Sequence, residues 1–222
     1  MAGAATIIIA DDHPLFRGAL KQALSMEDGA RIIEAGDFAA ARQAAADHPD
    51  ADLMLLDLTM PGASGLSALM MIRAEHPGIP VAVISASDDQ PTIRRALELG
   101  ASAFISKSNG IDEIRDAIDT VRQGGIWVPP GFDAGREHDP EMERLISRLK
   151  TLTPQQTRVL GMIGEGLLNK QIAYEFKVSE ATIKAHMTAI MRKLHVNNRT
   201  QVALIARQLA LSAGADDEAA LN

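Results

Sequence analysis

Apolar positions in the first 128 residues follow two alternating rhythms. Five short runs are continuous and partly β-branched: Thr6–Ala10, Ala30–Glu34, Leu53–Asp57, Val81–Ser85 and Ala103–Ser106. Such runs, set between helical stretches, read as strands. Between them the spacing turns helical. Pro14–Met26 carries Leu15, Leu20 and Leu24, and Leu66–His76 carries Leu69, Met70 and Ile72. Thr92–Leu99 and Asp112–Arg122 continue the alternation, with Ile111, Ile114, Ile118 and Val121 three or four residues apart. Strands alternating with helices pair in parallel through right-handed crossovers. The pattern predicts an α/β fold with a doubly wound, five-stranded parallel sheet, whose ligands sit beyond the carboxyl ends of the strands.

The rhythm changes after residue 128. Pro129-Pro130-Gly131 and the polar GFDAGREHDP read as a linker, followed by an amphipathic stretch, Pro140–Lys150, with Met142, Leu145, Ile146 and Leu149. Thr153 before Pro154 is a helix start, with Val159, Leu160 and Ile163 on its apolar face. Asn169 reads as the cap of a second helix and Ser179 as the cap of a third, Glu180–Leu194. That third helix carries Ile183, Met187, Ile190, Met191 and Leu194 on one stripe, and Thr200–Leu211 completes a small all-α four-helix unit. The expected organisation is 1–128, a linker over 129–150, the helical unit over 151–211 and a disordered acidic tail over 212–222.

Composition is that of a globular chain, 46% apolar and 23% charged over 222 residues. No cysteine is present, which removes disulfides, thiolate metal sites and cysteine nucleophiles. No stretch reaches the roughly 18 apolar residues of a membrane helix. The start, MAGAATIIIADD, lacks the basic region of a signal peptide, so a cytoplasmic chain with no membrane partner is expected. The net charge of −7 argues against nucleic acid when read whole. It is unevenly distributed. Residues 1–130 carry 10 Lys+Arg against 18 Asp+Glu, whereas residues 151–211 carry 8 against 3. The acidic total conceals a basic helical unit.

Candidate chemistry gathers at the strand ends. Asp11 and Asp12 follow the first strand, Asp57 closes the third, Ser85 closes the fourth and Lys107 follows the fifth. Each alone has a plain structural reading: a helix cap, a turn serine, a solvated lysine. Together they bring three carboxylates, a hydroxyl and an ammonium to one rim. Clustered carboxylates call for a hard cation, and Mg²⁺ favours one or two carboxylates plus phosphate oxygens.

The segments ADDHPLFRGAL, LLDLTMPGASGL, VISAS and GASAFISK resemble the flavodoxin-like receiver domain of two-component response regulators over about residues 5–125. The resemblance implies that Asp57 accepts a phosphoryl group from a sensor histidine kinase. It implies Mg²⁺ bound by Asp11, Asp12, Asp57 and the backbone carbonyl of Thr59, with Ser85 and Lys107 on the phosphoryl oxygens. Phe104 stands where the family often has a switching tyrosine, and Ser108 stands where many receivers have proline. Thr59 and Ser87 match positions that tune dephosphorylation. Turnover is expected to be slow and intrinsic, in a regulator rather than an enzyme. The surface formed by the helix 92–99, the fifth strand and the helix 112–122 is expected to change on phosphorylation. A haloacid-dehalogenase-type phosphatase is the alternative from another class, but it needs a second aspartate where Thr59 stands.

In the basic unit, LTPQQTRVL, EGLLNKQIA, VSEATIKAHMTAIMRKLHV and NNRTQVALIA resemble the LuxR-type helix-turn-helix domain. Together the two units resemble a NarL/FixJ-type response regulator. By that resemblance Lys184, Ala185 and Thr188 lie where base edges are read. Thr182, Asn169, Lys170, Arg192, Lys193 and Arg199 are candidates for phosphate contact, although Arg199 also suits a structural role. Gln156, Arg158 and Gln171 replace glutamates usual in the family. The expected partners are promoter DNA, a sensor kinase, RNA polymerase and a second copy of the chain, paired through the last helix or the linker helix.

Overall fold

The structure, a computed structural model, describes residues 5–62, 65–133 and 139–211, the side chains of 25–28 and 211 excepted. The expected tail over 212–222 and the middle of the linker lie outside the described residues. Five strands, β1 (Thr6–Ala10), β2 (Arg31–Ala35), β3 (Leu53–Asp57), β4 (Val81–Ser85) and β5 (Ala103–Ser106), form one parallel sheet. Their order is β2-β1-β3-β4-β5. The order reverses between β1 and β3, which opens a crevice at their carboxyl ends.

Alternation along the strands divides the core. Ile7 and Ile9 of β1 face α1 (Pro14–Asp28) and α5 (Ile111–Arg122), among Leu20, Leu24, Ile114 and Ile118. Ile8 and Ala10 face α2 (Phe38–Asp47), α3 (Leu66–Glu75) and α4 (Gln90–Glu98), among Phe38, Leu69 and Ile93. Every residue of β3 and β4 is buried, which explains their unbroken apolar runs. The free edge of β5 is covered by a parallel bridge from Trp127 to Ala103.

The structure differs from the sequence reading in a few places. The helix α2 was not anticipated: FAAARQAAAD puts alanine on both faces and leaves periodicity without contrast. Asp37 caps it, accepting a hydrogen bond from the Ala40 N–H at 2.8 Å. The strand β2 begins one residue later than expected, at Arg31, and α4 begins at Gln90 because Asp89 caps it.

The remaining helices are α6 (Pro140–Leu149), α7 (Pro154–Gly164), α8 (Asn169–Phe176), α9 (Glu180–Leu194) and α10 (Arg199–Leu211). Thr153 opens α7 through a reciprocal capping box with Gln156. Ser179 caps α9, accepting from the Thr182 N–H at 3.1 Å. Asn169 does not cap α8. Leu168 holds that position, and its N–H donates to Gln171 Oε1 at 2.8 Å, so glutamine performs the usual task of glutamate there.

The helices α7 and α10 pack against α3, and a single buried cluster continues from the sheet through Leu69 and Ile72 to Leu160, Ile163 and Val202. Small residues permit the approach. A Cβ at Gly161 would lie 3.3 Å from Met71 Cε. Gly65, the N-cap of α3 with φ +61, has no room for a Cβ at all, because the carbonyl oxygens of Leu209 and Ala210 at the end of α10 occupy its place. The helical unit therefore seats on α3, whereas the surface expected to change on phosphorylation is formed by α4, β5 and α5. The linker, in turn, is fastened to α4. Gln90 Nε2 donates to the Gly131 carbonyl at 3.2 Å, and Arg94 donates to the Asp133 carbonyl at 2.7 Å.

Candidate functional site: an acidic pocket and an open helix face

The switch point between β1 and β3 gathers the expected residues. Asp57 ends β3 and Asp11 follows β1, and both side chains are inaccessible to solvent. Lys107, just past β5, places its Nζ 2.8 Å from Asp11 Oδ2 and 2.9 Å from Asp57 Oδ2. Burial of the ammonium pulls its pKa down, but hydrogen bonds and charge from Asp11 and Asp57 outweigh this and hold it above the ordinary lysine value. The lysine thus acts as an internal counter-ion for two buried carboxylates.

Two buried oxygens in the pocket meet only charged or ionisable partners. Asp11 Oδ2 and Asp12 Oδ1 are both buried, with only ion-pair neighbours. Asp11, Asp12, His13 and Asp57 each bring one donor atom within 4.8 Å of the others. Buried carboxylate oxygens at this spacing, met only by cationic or ionisable nitrogens, fit a divalent cation. The pocket is an acidic cluster able to hold a metal.

Thr59 contributes more than the expected carbonyl. Its N–H and its hydroxyl both donate to Asp57 Oδ1, at 3.1 and 3.0 Å. This hold orients the carboxylate. Ser85 is buried at the end of β4, in register with Ser106, and its Oγ accepts from the Ser87 N–H at 3.2 Å. Phe104 is fully buried on the α4 side of the sheet, paired in register with Val83. His13 was not singled out from the sequence. Its Nδ1 lies 2.8 Å from Asp12 Oδ1 and 3.2 Å from Asp11 Oδ1. The signal was its place directly after the two aspartates, as N-cap of α1.

On the helical unit, α9 buries Ile183, Met187, Ile190 and Leu194 and turns Ala181, Thr182, Lys184, Ala185, Thr188 and Arg192 to solvent. Among the described residues, no part of the receiver half covers this face. The Thr188 hydroxyl donates to the Lys184 carbonyl at 3.0 Å. That back-bond spends the hydroxyl proton within the helix and leaves the methyl for an outside contact. Lys170 is also exposed.

Other candidates on the unit are committed internally. Lys193 Nζ donates to the Thr151 carbonyl at 2.6 Å and to Gln156 Oε1 at 2.8 Å. Arg199 donates to Asn169 Oδ1 at 2.7 Å and to the Leu167 carbonyl. Lys193, Arg199 and Asn169 thus tie helix ends together, Arg199 through a side-chain amide and a backbone carbonyl. The stripes expected to pair two copies are largely spent as well. Val202, Ala206 and Leu209 of α10 and Ile146 and Leu149 of α6 are buried in the chain's own core, while Leu204 remains exposed.

Comparison with known proteins agrees with both halves. Residues 7–119 match the response regulator receiver domain family, and residues 150–206 match the bacterial regulatory proteins of the luxR family. The chain is 39% identical over 214 residues to the glycerol metabolism activator of Pseudomonas putida, covering 93% of this chain and 97% of that one. It is 29% identical over 209 residues to the nitrate/nitrite response regulator NarL of Escherichia coli, covering 92% and 95%. Among solved structures, a complex of the response regulator RcsB with DNA shares the fold, with a TM-score of 0.55, 23% identity and coverage of 93% of this chain and 100% of that one. The receiver domain of a NarL response regulator from Mycobacterium tuberculosis matches with a TM-score of 0.51 at 34% identity, covering 55% of this chain and 99% of that one. Among the described residues no helix is long and apolar enough to cross a membrane. A parallel sheet with an acidic switch-point pocket, joined to a helix-turn-helix with an open basic face, is therefore what the family matches describe: the chain belongs to the two-component response regulators that carry a LuxR-type DNA-binding domain, a family of transcription regulators.

Proposed function

We propose that Asp57 is the phospho-acceptor of a promoter-binding switch, with Mg²⁺ as the cation. The observation that carries this reading is the meeting of buried Asp57 and Asp11 with half-buried Lys107, beside the Asp12 carboxylate. An Asp57 carboxylate oxygen attacks the phosphorus of a phosphohistidine on a sensor kinase. The P–N bond breaks, its electron pair stays on the imidazole nitrogen, and Asp57 becomes an acyl phosphate. Asp11, Asp12, Asp57 and the Thr59 carbonyl would hold the cation, which offsets charge on the phosphoryl oxygens when bound. Lys107 follows the new oxygens from its present place, and the Ser85 hydroxyl takes another, which draws the β4–α4 loop inward against the wall formed by Phe104. Hydrolysis of the acyl phosphate is slow and intrinsic, tuned by Thr59 and Ser87.

The division that accompanies this reading is a receiver over 1–128, a linker over 129–150, a DNA-binding domain over 151–211 and a tail over 212–222. Lys184, Ala185 and Thr188 face base edges, and Thr182, Lys170 and Arg192 face phosphates. Two copies on paired half-sites supply the area one small module lacks, in the cytoplasm and with RNA polymerase as the downstream partner. Incubation with a small-molecule phospho-donor and Mg²⁺, followed by phosphate-affinity electrophoresis, tests the site. The wild-type chain is expected to shift and Asp57→Asn to stay unshifted; equal labelling of both would overturn the assignment.

A further inference from the structure

The pocket contains one donor that is not an oxygen. His13 follows the aspartate pair on the turn into α1, and its backbone N–H is held by Asp11 Oδ1 at 2.7 Å. This fixes the residue at the mouth of the pocket. Its Nδ1 points inward, 2.8 Å from Asp12 Oδ1, 3.2 Å from Asp11 Oδ1 and 3.4 Å from Lys107 Nζ. The ring is otherwise 64% exposed, so it has room to move onto or away from an ion. The four donor atoms already lie within 4.8 Å of one another. Opposite ligands of a six-coordinate ion with bonds near 2.1 Å are roughly 4.2 Å apart, so small side-chain shifts would close the set on one ion.

We infer that His13 is a nitrogen ligand that biases this pocket toward first-row transition-metal dications over Mg²⁺. The inference rests on the reading of the acidic pocket as the cation site and goes beyond it in naming the selecting residue. Three carboxylates alone present hard oxygens, a set that suits Mg²⁺ and Mn²⁺ alike. An imidazole among them adds affinity for Mn²⁺ and Co²⁺ and adds little for Mg²⁺, which retains water in preference to nitrogen. The buried Asp11 Oδ2 and Asp12 Oδ1 are the oxygens such an ion would take, and Lys107 Nζ and His13 Nδ1 stand beside them at 2.8 Å as the present partners. Metal entry then moves Lys107 off Asp11, while His13 exchanges its carboxylate neighbour for the ion.

The test uses the full chain. Mn²⁺-loaded wild-type protein is expected to show imidazole nitrogen modulation in electron spin echo spectra, and His13→Asn is expected to abolish it. By calorimetry, His13→Asn should weaken Mn²⁺ and Co²⁺ binding about tenfold and Mg²⁺ binding by less than about twofold. Absence of nitrogen modulation in the wild type, its persistence in His13→Asn, or an equal loss for all three ions would overturn the inference. Asp12→Asn separates this from the wider reading. If Mg²⁺ binding survives Asp12→Asn unchanged, the pocket is not the cation site and both readings fail. If Mg²⁺ binding is lost there but no nitrogen is detected, only the role of His13 falls.

Discussion

Arg158 of α7 reaches across to Glu75 at the end of α3, with Nε 3.6 Å from Oε1. Glu75 is already held by Arg42 of α2 through hydrogen bonds of 2.7 and 2.8 Å, so one carboxylate serves two guanidiniums. Burial of Arg158 and the charge of Arg42 pull the Arg158 pKa below its usual value, with Glu75 opposing. Arg158 also lies 4.5 Å over the Phe176 ring, which ties the latch to α8. The residue is one of those that depart from the glutamate usual in the family, and the departure creates a contact between the halves of the molecule.

Reversing that charge should loosen the seat. Arg158→Glu places a second carboxylate against Glu75 and is expected to raise the radius of gyration in small-angle scattering. The cost in unfolding free energy should be modest, about 1 kcal/mol, because the pair is only partly buried. Unchanged scattering in the variant would show that the apolar contacts alone hold α7 on α3.

Lys107 is the counter-ion of Asp11 and Asp57, and removing it leaves two buried carboxylates facing one another. Lys107→Met should destabilise the metal-free protein by roughly 3–5 kcal/mol, and added Mg²⁺ should restore more stability to the variant than to the wild type. Denaturant titrations with and without Mg²⁺ measure both effects.

The same lysine fixes a direction in pH. Its pKa is raised in the folded chain, so its contribution to stability is complete below the unfolded value of 10.5 and is lost as pH rises through the higher folded value. Between neutral pH and the ordinary lysine value the stability gap between wild type and Lys107→Met should stay constant. It should narrow only above that range. A gap already closing near pH 8 would contradict the counter-ion assignment.

Much of this fold is legible in the sequence because parallel strands buried on both faces have no polar positions to disguise them. β1, β3, β4 and β5 have the expected bounds, and with them the polar residues at their ends. The helix α2 was illegible for the opposite reason: Ala41, Ala44 and Ala45 are buried while Ala39, Ala40 and Ala46 are exposed, and alanine carries no contrast between the two. In the pocket, residue types at strand ends identified the carboxylates, but the Thr59 hydroxyl and the His13 ring depend on turn geometry. On the basic unit, Lys193 and Arg199 look like phosphate ligands by charge. Their donors also reach oxygens at helix ends, partners that exist only in the folded chain.

The back-bond of Thr188 separates two substitutions that look equally mild. Thr188→Val keeps the outward methyl and should bind a promoter fragment nearly as well as the wild type. Thr188→Ser keeps the hydroxyl, loses the methyl and should cost about 1 kcal/mol at a site where a thymine is read. Fluorescence anisotropy against a bound promoter fragment compares the two, and a larger loss for valine would mean that the hydroxyl does the reading.

Lys184 stands on the same open face, with Glu180 3.7 Å away on the preceding turn. Lys184→Ala should weaken promoter binding and, if the ammonium also neutralises a phosphate, lower the salt dependence by about one ion. A titration unchanged at moderate salt would remove Lys184 from the interface.

Gly65 donates its N–H to the Leu58 carbonyl at 2.7 Å, one residue beyond Asp57, and lies under the last carbonyls of α10. Both sides of that contact are main chain. Trimming the side chains of α10 to alanine leaves the contact standing, whereas Gly65→Ala would drive a Cβ into the α10 carbonyls. Its energetic weight is read by adding a side chain at Gly65, not by removing one from α10. A junction of backbone with backbone, tied to the residue after Asp57, thus escapes any survey that only trims α10 and yields to a single added methyl group.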